Sequence, residues 1–141
     1  MTRDEVLAVV KRRYAGWAAH DPVALAATHA ENGVVTSPTG GVLEGRAEIE
    51  RVYRLWTTAF PDAVMHHDEV LIEGDRAVVI ARLRGTHSGD FFGLAPTGRH
   101  MGVQVALLLT IADGLVIDER RIYDFTGVLV QVGVLKAKPV G

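Results

Sequence analysis

The sequence predicts a single α+β domain in which N-terminal helices pack on a curved antiparallel sheet, and three observations carry that expectation. Apolar residues recur at helical spacing as far as Phe60. Beyond it the chain alternates with the period of strands, and Asp113-Gly114 separates two long alternating runs, as a type I′ hairpin requires. At 141 residues, 48% of them hydrophobic, the chain is large enough for one core and small for two.

Each element has its own signal. Val6, Val10, Tyr14 and Trp17 share one face of a first helix. His20-Asp21-Pro22 breaks it, with Asp21 as N-cap and Pro22 as first residue of a short second helix that ends at Glu31-Asn32-Gly33. Val34, Val35 and Thr36 suggest a short strand, closed by Ser37-Pro38-Thr39-Gly40-Gly41. A third helix runs from Arg46 to Phe60 on the stripe Ile49, Val52, Tyr53, Trp56, Phe60, and Pro61 follows it. Its charges Arg46, Glu48, Glu50, Arg51 and Arg54 read as a solvated face. Strands are expected over 63–72 and 76–86, joined by Glu73-Gly74-Asp75, and over 100–112 and 115–124. The closing GVLVQVGVL fits either a short helix or a last strand.

Composition narrows the function. A net charge of −2 offers no electrostatic case for nucleic acid or an anionic membrane, and no apolar run approaches the roughly 20 residues that span a bilayer. The start, MTRDEVLAVVKRRY, mixes charges into a helical pattern, unlike a secretory signal, so a cytoplasmic location is the default expectation. The lack of cysteine excludes disulfides and thiolate chemistry. His66 and His67 would point to opposite faces of a strand, and no histidine pair has metal-ligand spacing, so no metal site is expected.

The most informative stretch is Gly85 to Gly98, GTHSGDFFGLAPTG. Glycines and a proline make it a long connection, yet it holds His87 and the adjacent Phe91 and Phe92, which suits a lid or pocket rim. With GTHSGDFFGLAPTGRH (85–100), IADG followed by ID (111–118) and YDFTGVLVQVG (123–133), supported by VLEGRAEIERVYRLWTTAFPD (42–62) and LIEGDRAVV (71–79), the chain resembles the SnoaL-like polyketide cyclase family of the nuclear-transport-factor-2-like superfamily. The resemblance implies a cone-shaped α+β barrel enclosing an apolar pocket, and subunits paired as a homodimer through the sheet. It also implies intramolecular aldol closure of a hydrophobic polyketide substrate with no metal or organic cofactor. The family's acid/base aspartate matches Asp124.

Each candidate residue has a functional and a structural role open to it. Asp124 could transfer protons in an apolar pocket or cap the terminal helix. Tyr14 could donate to an enolate oxygen or bond the backbone in the core. Trp17, Trp56 and Phe60 could be pocket walls or core. His87 could reach the substrate or hold the loop, with one of Phe91 and Phe92 facing in and the other out. His100 and Gln104 alternate with Met101, Val103, Val105 and Leu107, and could face the pocket or the opposite side. Arg120 shares strand parity with Asp124, and Arg121 with Glu119 and Tyr123; charge on both parities suggests an exposed or interfacial segment. Two alternatives accompany the cyclase expectation. One is isomerase or epoxide-hydrolase chemistry on Arg120, Asp118 and Asp124, and the other is a non-catalytic binding module.

Overall fold

In the computed structural model, which describes residues 2–136, Thr2 opens helix α1 (Arg3–Ala18) with a capping box. Its hydroxyl accepts from the Glu5 N–H, and the Glu5 carboxylate accepts from the Thr2 N–H. The buried face of α1 is Val6, Val9, Val10, Arg13, Gly16 and Trp17. The expected stripe is therefore rotated: Arg13 points inward, and Tyr14 is 45% exposed with its ring edge on His67. Asp21 caps α2 (Pro22–Ala27) through Oδ1, as expected, but that helix is short. The strand after it, β1 (His29–Ser37), is longer than Val34–Thr36 because a register shift between His29 and Val34 sets residues 30–33 against Ile117 alone. A further strand, β2 (Gly41–Glu44), pairs with β1; its two apolar residues between glycines carry too little pattern to be read from sequence.

Helix α3 (Arg46–Ala59) buries Ile49, Val52, Tyr53 and Trp56. Glu48–Arg51 and Glu50–Arg54 pair on its outer face, whereas Arg46 turns in and donates to the His29 carbonyl. The long hairpins then follow: β3 (Val64–Glu73), β4 (Arg76–Thr86), β5 (His100–Ala112) and β6 (Leu115–Tyr123). Asp113 and Gly114 both have positive φ, as a type I′ turn needs. The last segment forms helix α4 (Phe125–Gln131), which settles the helix-or-strand alternative.

The sheet order is β2-β1-β6-β5-β4-β3. Its pairings are antiparallel except one: β1 runs parallel to β6, which joins the N-terminal part to the long hairpins in a way that local pattern does not reveal. On β6 the register passes from Thr110↔Asp118 to Ile111↔Val116, leaving Ile117 as an extra residue. That bulge reverses the parity of the strand, so Val116, Glu119, Arg121 and Tyr123 all point toward the helices. Asp118, Arg120, Ile122 and Asp124 point away and are exposed. No helix among the described residues is long and apolar enough to cross a membrane.

Candidate functional site

The helices lie against the concave face of the sheet and leave a cavity between them. Counted out to its mouth, it holds about 470 Å³ of atom-free space. Helix α1 contributes Arg13 and Trp17, and α3 contributes Tyr53 and Trp56. The sheet supplies Met65, Leu83 and the inward row Val103, Val105, Leu107. Arg121 and Tyr123 complete the wall from β6. The apolar alternation of β5 is thus a cavity wall, and apart from Arg13, Arg121 and the two tyrosines the lining is apolar or indole.

The polar floor is a network of buried groups in which His29 Nδ1, Glu119 Oε1 and Arg121 Nη2 accept or donate no hydrogen bond among the described residues. Arg13 Nη1 lies 2.8 Å from Glu119 Oε1, and Arg13 Nη2 donates to Glu119 Oε2 at 3.1 Å. Arg121 Nε donates to the same Oε2 at 2.6 Å. The Arg121 guanidinium also stacks over the Tyr53 ring, 4.6 Å from its centroid. Arg13 Nη1 donates to the Tyr53 hydroxyl at 3.0 Å, and that hydroxyl lies 2.7 Å from His29 Nε2. With Tyr53 donating to Nε2, the His29 ring carries its own proton on Nδ1, which has no partner among the described residues.

The charge states follow from this packing. Burial drives the His29 pKa down to about 3; Glu119 opposes that, and Arg13 and Arg121 add to it. The ring is therefore neutral near pH 7. Burial pushes the Glu119 carboxyl up, but Arg121 and Arg13 outweigh it and hold the pKa down at about 2. Burial raises the Tyr53 phenol above its usual range. Arg13 and Arg121 are charged, Glu119 is charged, and His29 and Tyr53 are neutral, which leaves one net positive charge under an apolar cavity.

The expected site residues divide between the cavity and other surfaces. Trp17 and Trp56 line the cavity. His87 does not: it is fully buried inside the 87–99 loop, where its Nδ1 bonds Thr97 and its backbone pairs with Gly98 and Arg99. Phe91 faces inward onto Trp56 and Phe60, and Phe92 is 53% exposed, so one faces in and one out. Both border a separate apolar groove with Phe125 and Leu129. Tyr14, His100 and Gln104 lie outside the cavity. His100 is on the outer sheet face, beside the Thr86 hydroxyl, and Gln104 shares a shallow outer cleft with Ile122 and Asp124. Asp124 caps α4, its Oδ1 accepting from the Gly127 N–H at 2.8 Å, and its carboxylate is exposed. The bulge at Ile117 is the physical reason, because it turns this parity outward. The set Arg120, Asp118 and Asp124, on which epoxide-hydrolase chemistry would depend, is likewise at the exposed face.

The residues that sequence reasoning missed are Arg13, His29, Tyr53, Glu119 and Arg121; Tyr53 was read only as part of the apolar stripe of α3. Arg13 had a signal: a cation at helical spacing between Val9 and Trp17. Glu119, Arg121 and Tyr123 had a shared parity, but only the bulge decides which way it faces.

A family model described as SnoaL-like polyketide cyclase matches residues 8–132. No curated protein sequence matches the chain. Among solved structures, AclR, a candidate hydroxylase from Streptomyces galilaeus, is 24% identical with a TM-score of 0.84, covering 99% of this chain and 87% of its own. A candidate SnoaL-like polyketide cyclase from Jannaschia sp. CCS1 is 25% identical with a TM-score of 0.83, covering 96% of this chain and 94% of its own. TerC, co-crystallised with polyporic acid, is 17% identical with a TM-score of 0.74, covering 92% of this chain and 98% of its own.

Proposed function

The chain belongs to the SnoaL-like polyketide cyclase family, and on that footing we propose that it catalyses proton transfer on a hydrophobic, polyketide-type carbonyl compound held in the cavity, with intramolecular aldol closure as the reaction. One observation carries this reading: Tyr53 lines the cavity, and its hydroxyl lies 2.7 Å from the neutral, fully buried imidazole of His29. The pair forms a proton relay. The Tyr53 oxygen takes the proton from the activated carbon while its own proton passes to His29 Nε2. The enolate then attacks the second carbonyl, a C–C bond forms, and the proton returns through Tyr53 to the new alkoxide. No proton is gained or lost over the cycle. His29 is a weak base, so the substrate must be an already acidic carbon, such as the methylene of a 1,3-dicarbonyl. The apolar walls hold the two reacting ends together, which supplies much of the rate. Glu119, pinned ionised between two arginines, fixes Arg13 and Arg121 in place.

The test is turnover of a 1,3-dicarbonyl polyketide ester by three variants. Tyr53→Phe is expected to lower kcat by roughly 10²–10³ with little change in KM, the usual effect of losing one proton-bearing group in a preorganised site. His29→Gln is expected to lower it as well. Asp124→Asn keeps the cap while removing the charge, and turnover is expected to survive it. Loss of activity in Asp124→Asn with Tyr53→Phe unimpaired would move the chemistry to Asp124. Ligand binding with no turnover in the unsubstituted protein would make it a binding module. The apolar strip on the outer sheet face, where the register aligns Ile80, Ala106 and Ile122, supports pairing of two copies through the sheet.

A further inference from the structure

We infer that Arg121 forms an anion subsite in the cavity, so that the protein binds its ligand through an ionised phenolic oxygen carried on a flat apolar body, apart from the carbon that Tyr53 deprotonates. This inference rests on the cavity being the ligand site, and it adds what the ligand must carry.

The first argument is geometric. An arginine paired with a carboxylate commonly lays two parallel N–H groups on the two oxygens. Here Arg13 Nη2 and Arg121 Nε both donate to Glu119 Oε2, and Oε1 faces Arg13 Nη1 at 2.8 Å as an ion pair without accepting a hydrogen bond. Arg121 Nη2 is left without a hydrogen-bond partner among the described residues. The side chain is only 10% exposed and lines the cavity. An unpaired, desolvated guanidinium N–H is destabilising, and a ligand oxygen in the cavity offsets that. Stacking on the Tyr53 ring, 4.6 Å from its centroid, favours this orientation of the guanidinium.

The second argument is charge. Arg13 from α1, Tyr53 from α3, and Arg121 and Tyr123 from β6 line the cavity, with His29 of β1 and Glu119 of β6 fully buried beside them. Two cations face one carboxylate, and the other three groups are neutral near pH 7. In a medium of low dielectric a single uncompensated charge acts strongly on a neighbouring ion. A neutral carbonyl would satisfy the N–H; an oxyanion would also cancel the charge.

4-Nitrophenol is a suitable probe because it ionises near neutrality, its anion is coloured, and 4-nitroanisole is a neutral analogue of nearly the same shape. We would titrate each into the protein and follow the absorbance of the bound phenol against pH. The bound phenol is expected to ionise about one pH unit lower than in water, a tenfold preference for the anion, and nitroanisole is expected to bind at least tenfold more weakly than the phenolate. Arg121→Met should abolish both effects, and Glu119→Gln, which raises the net charge of the floor, should enlarge the shift. A merely structural role for Glu119 would weaken binding instead. Equal binding of phenolate and ether with no shift in ionisation would overturn the anion subsite and leave the cavity standing as an apolar site. Failure of both compounds to bind would overturn both. If Arg121→Met does not fold, the unsubstituted protein and Glu119→Gln still decide the matter.

Discussion

His29 is fully buried, neutral and short of one partner, and its effect on stability has a definite sign. An ordinary histidine ionises near 6.5, whereas in the folded chain burial holds this one neutral down to about 3. Below pH 6.5 the unfolded chain therefore binds a proton that the folded chain does not, and stability falls as the pH drops from 6.5 toward 3. Glu119 acts in the same direction in a lower window, from 4.5 to about 2, because its folded-state pKa is depressed by Arg121 and Arg13. Urea denaturation at a series of pH values should show a slope approaching about 1.4 kcal/mol per pH unit between pH 6 and 5, the value for one proton. His29→Gln should flatten that slope even where it lowers stability overall. Little of this was legible in the sequence. His29 follows Thr28 in a stretch expected to be helical, and its burial depends on a strand whose parallel partner lies almost ninety positions away. Trp17 and Trp56 were legible, because wide aromatic side chains at helical spacing face inward whatever the exact rotation of the helix.

At the scale of elements, α4 and the 87–99 loop are held by contacts that single substitutions can break. Asp124→Ala removes the N-cap of α4 and should lower stability by about 1 kcal/mol, while Asp124→Asn should be near neutral. β6 ends at Tyr123 opposite Val105, so Gly102 of β5, paired with Arg84 of β4 on one side, has no strand on its β6 side. The Gln131 amide takes that place, accepting from the Gly102 N–H at 2.8 Å and donating to its carbonyl at 3.0 Å. The loop is fastened to the end of α3 where Ser88 and Gly89 both donate to the Ala59 carbonyl. A Cβ at Gly89 would meet the Thr58 carbonyl oxygen at 2.0 Å, which no rotamer can relieve. Gly89→Ala should therefore destabilise by roughly 1–3 kcal/mol, and proteolysis should cut the loop sooner. The glycines and proline marked this segment as a loop, but its role as an anchored wall was illegible because the anchor is backbone to backbone.

Over the whole molecule, the two faces of one sheet carry different tasks: the concave face lines the cavity, and the outer face presents Leu71 and Ile122, each 55% exposed, within its apolar strip. Ile122→Asp should convert the proposed dimer to a monomer in light scattering while leaving cavity binding intact, since this side chain points away from the helices. A ligand at 100 times its Kd should add about 2.7 kcal/mol and raise Tm by roughly 5–10 °C, and Tyr53→Phe should retain most of that shift. The α+β class was legible from periodicity alone; the parallel joint between β1 and β6 was not, since it aligns Val34 with Asp118. That joint also orders events in time. The β3–β6 hairpins close over short spans and form early, whereas β1, and with it the meeting of Arg13 with Glu119, must wait for a long loop to close. During refolding, strand content should return before ligand affinity does, and on a ribosome the cavity would stay unformed until β6 has emerged.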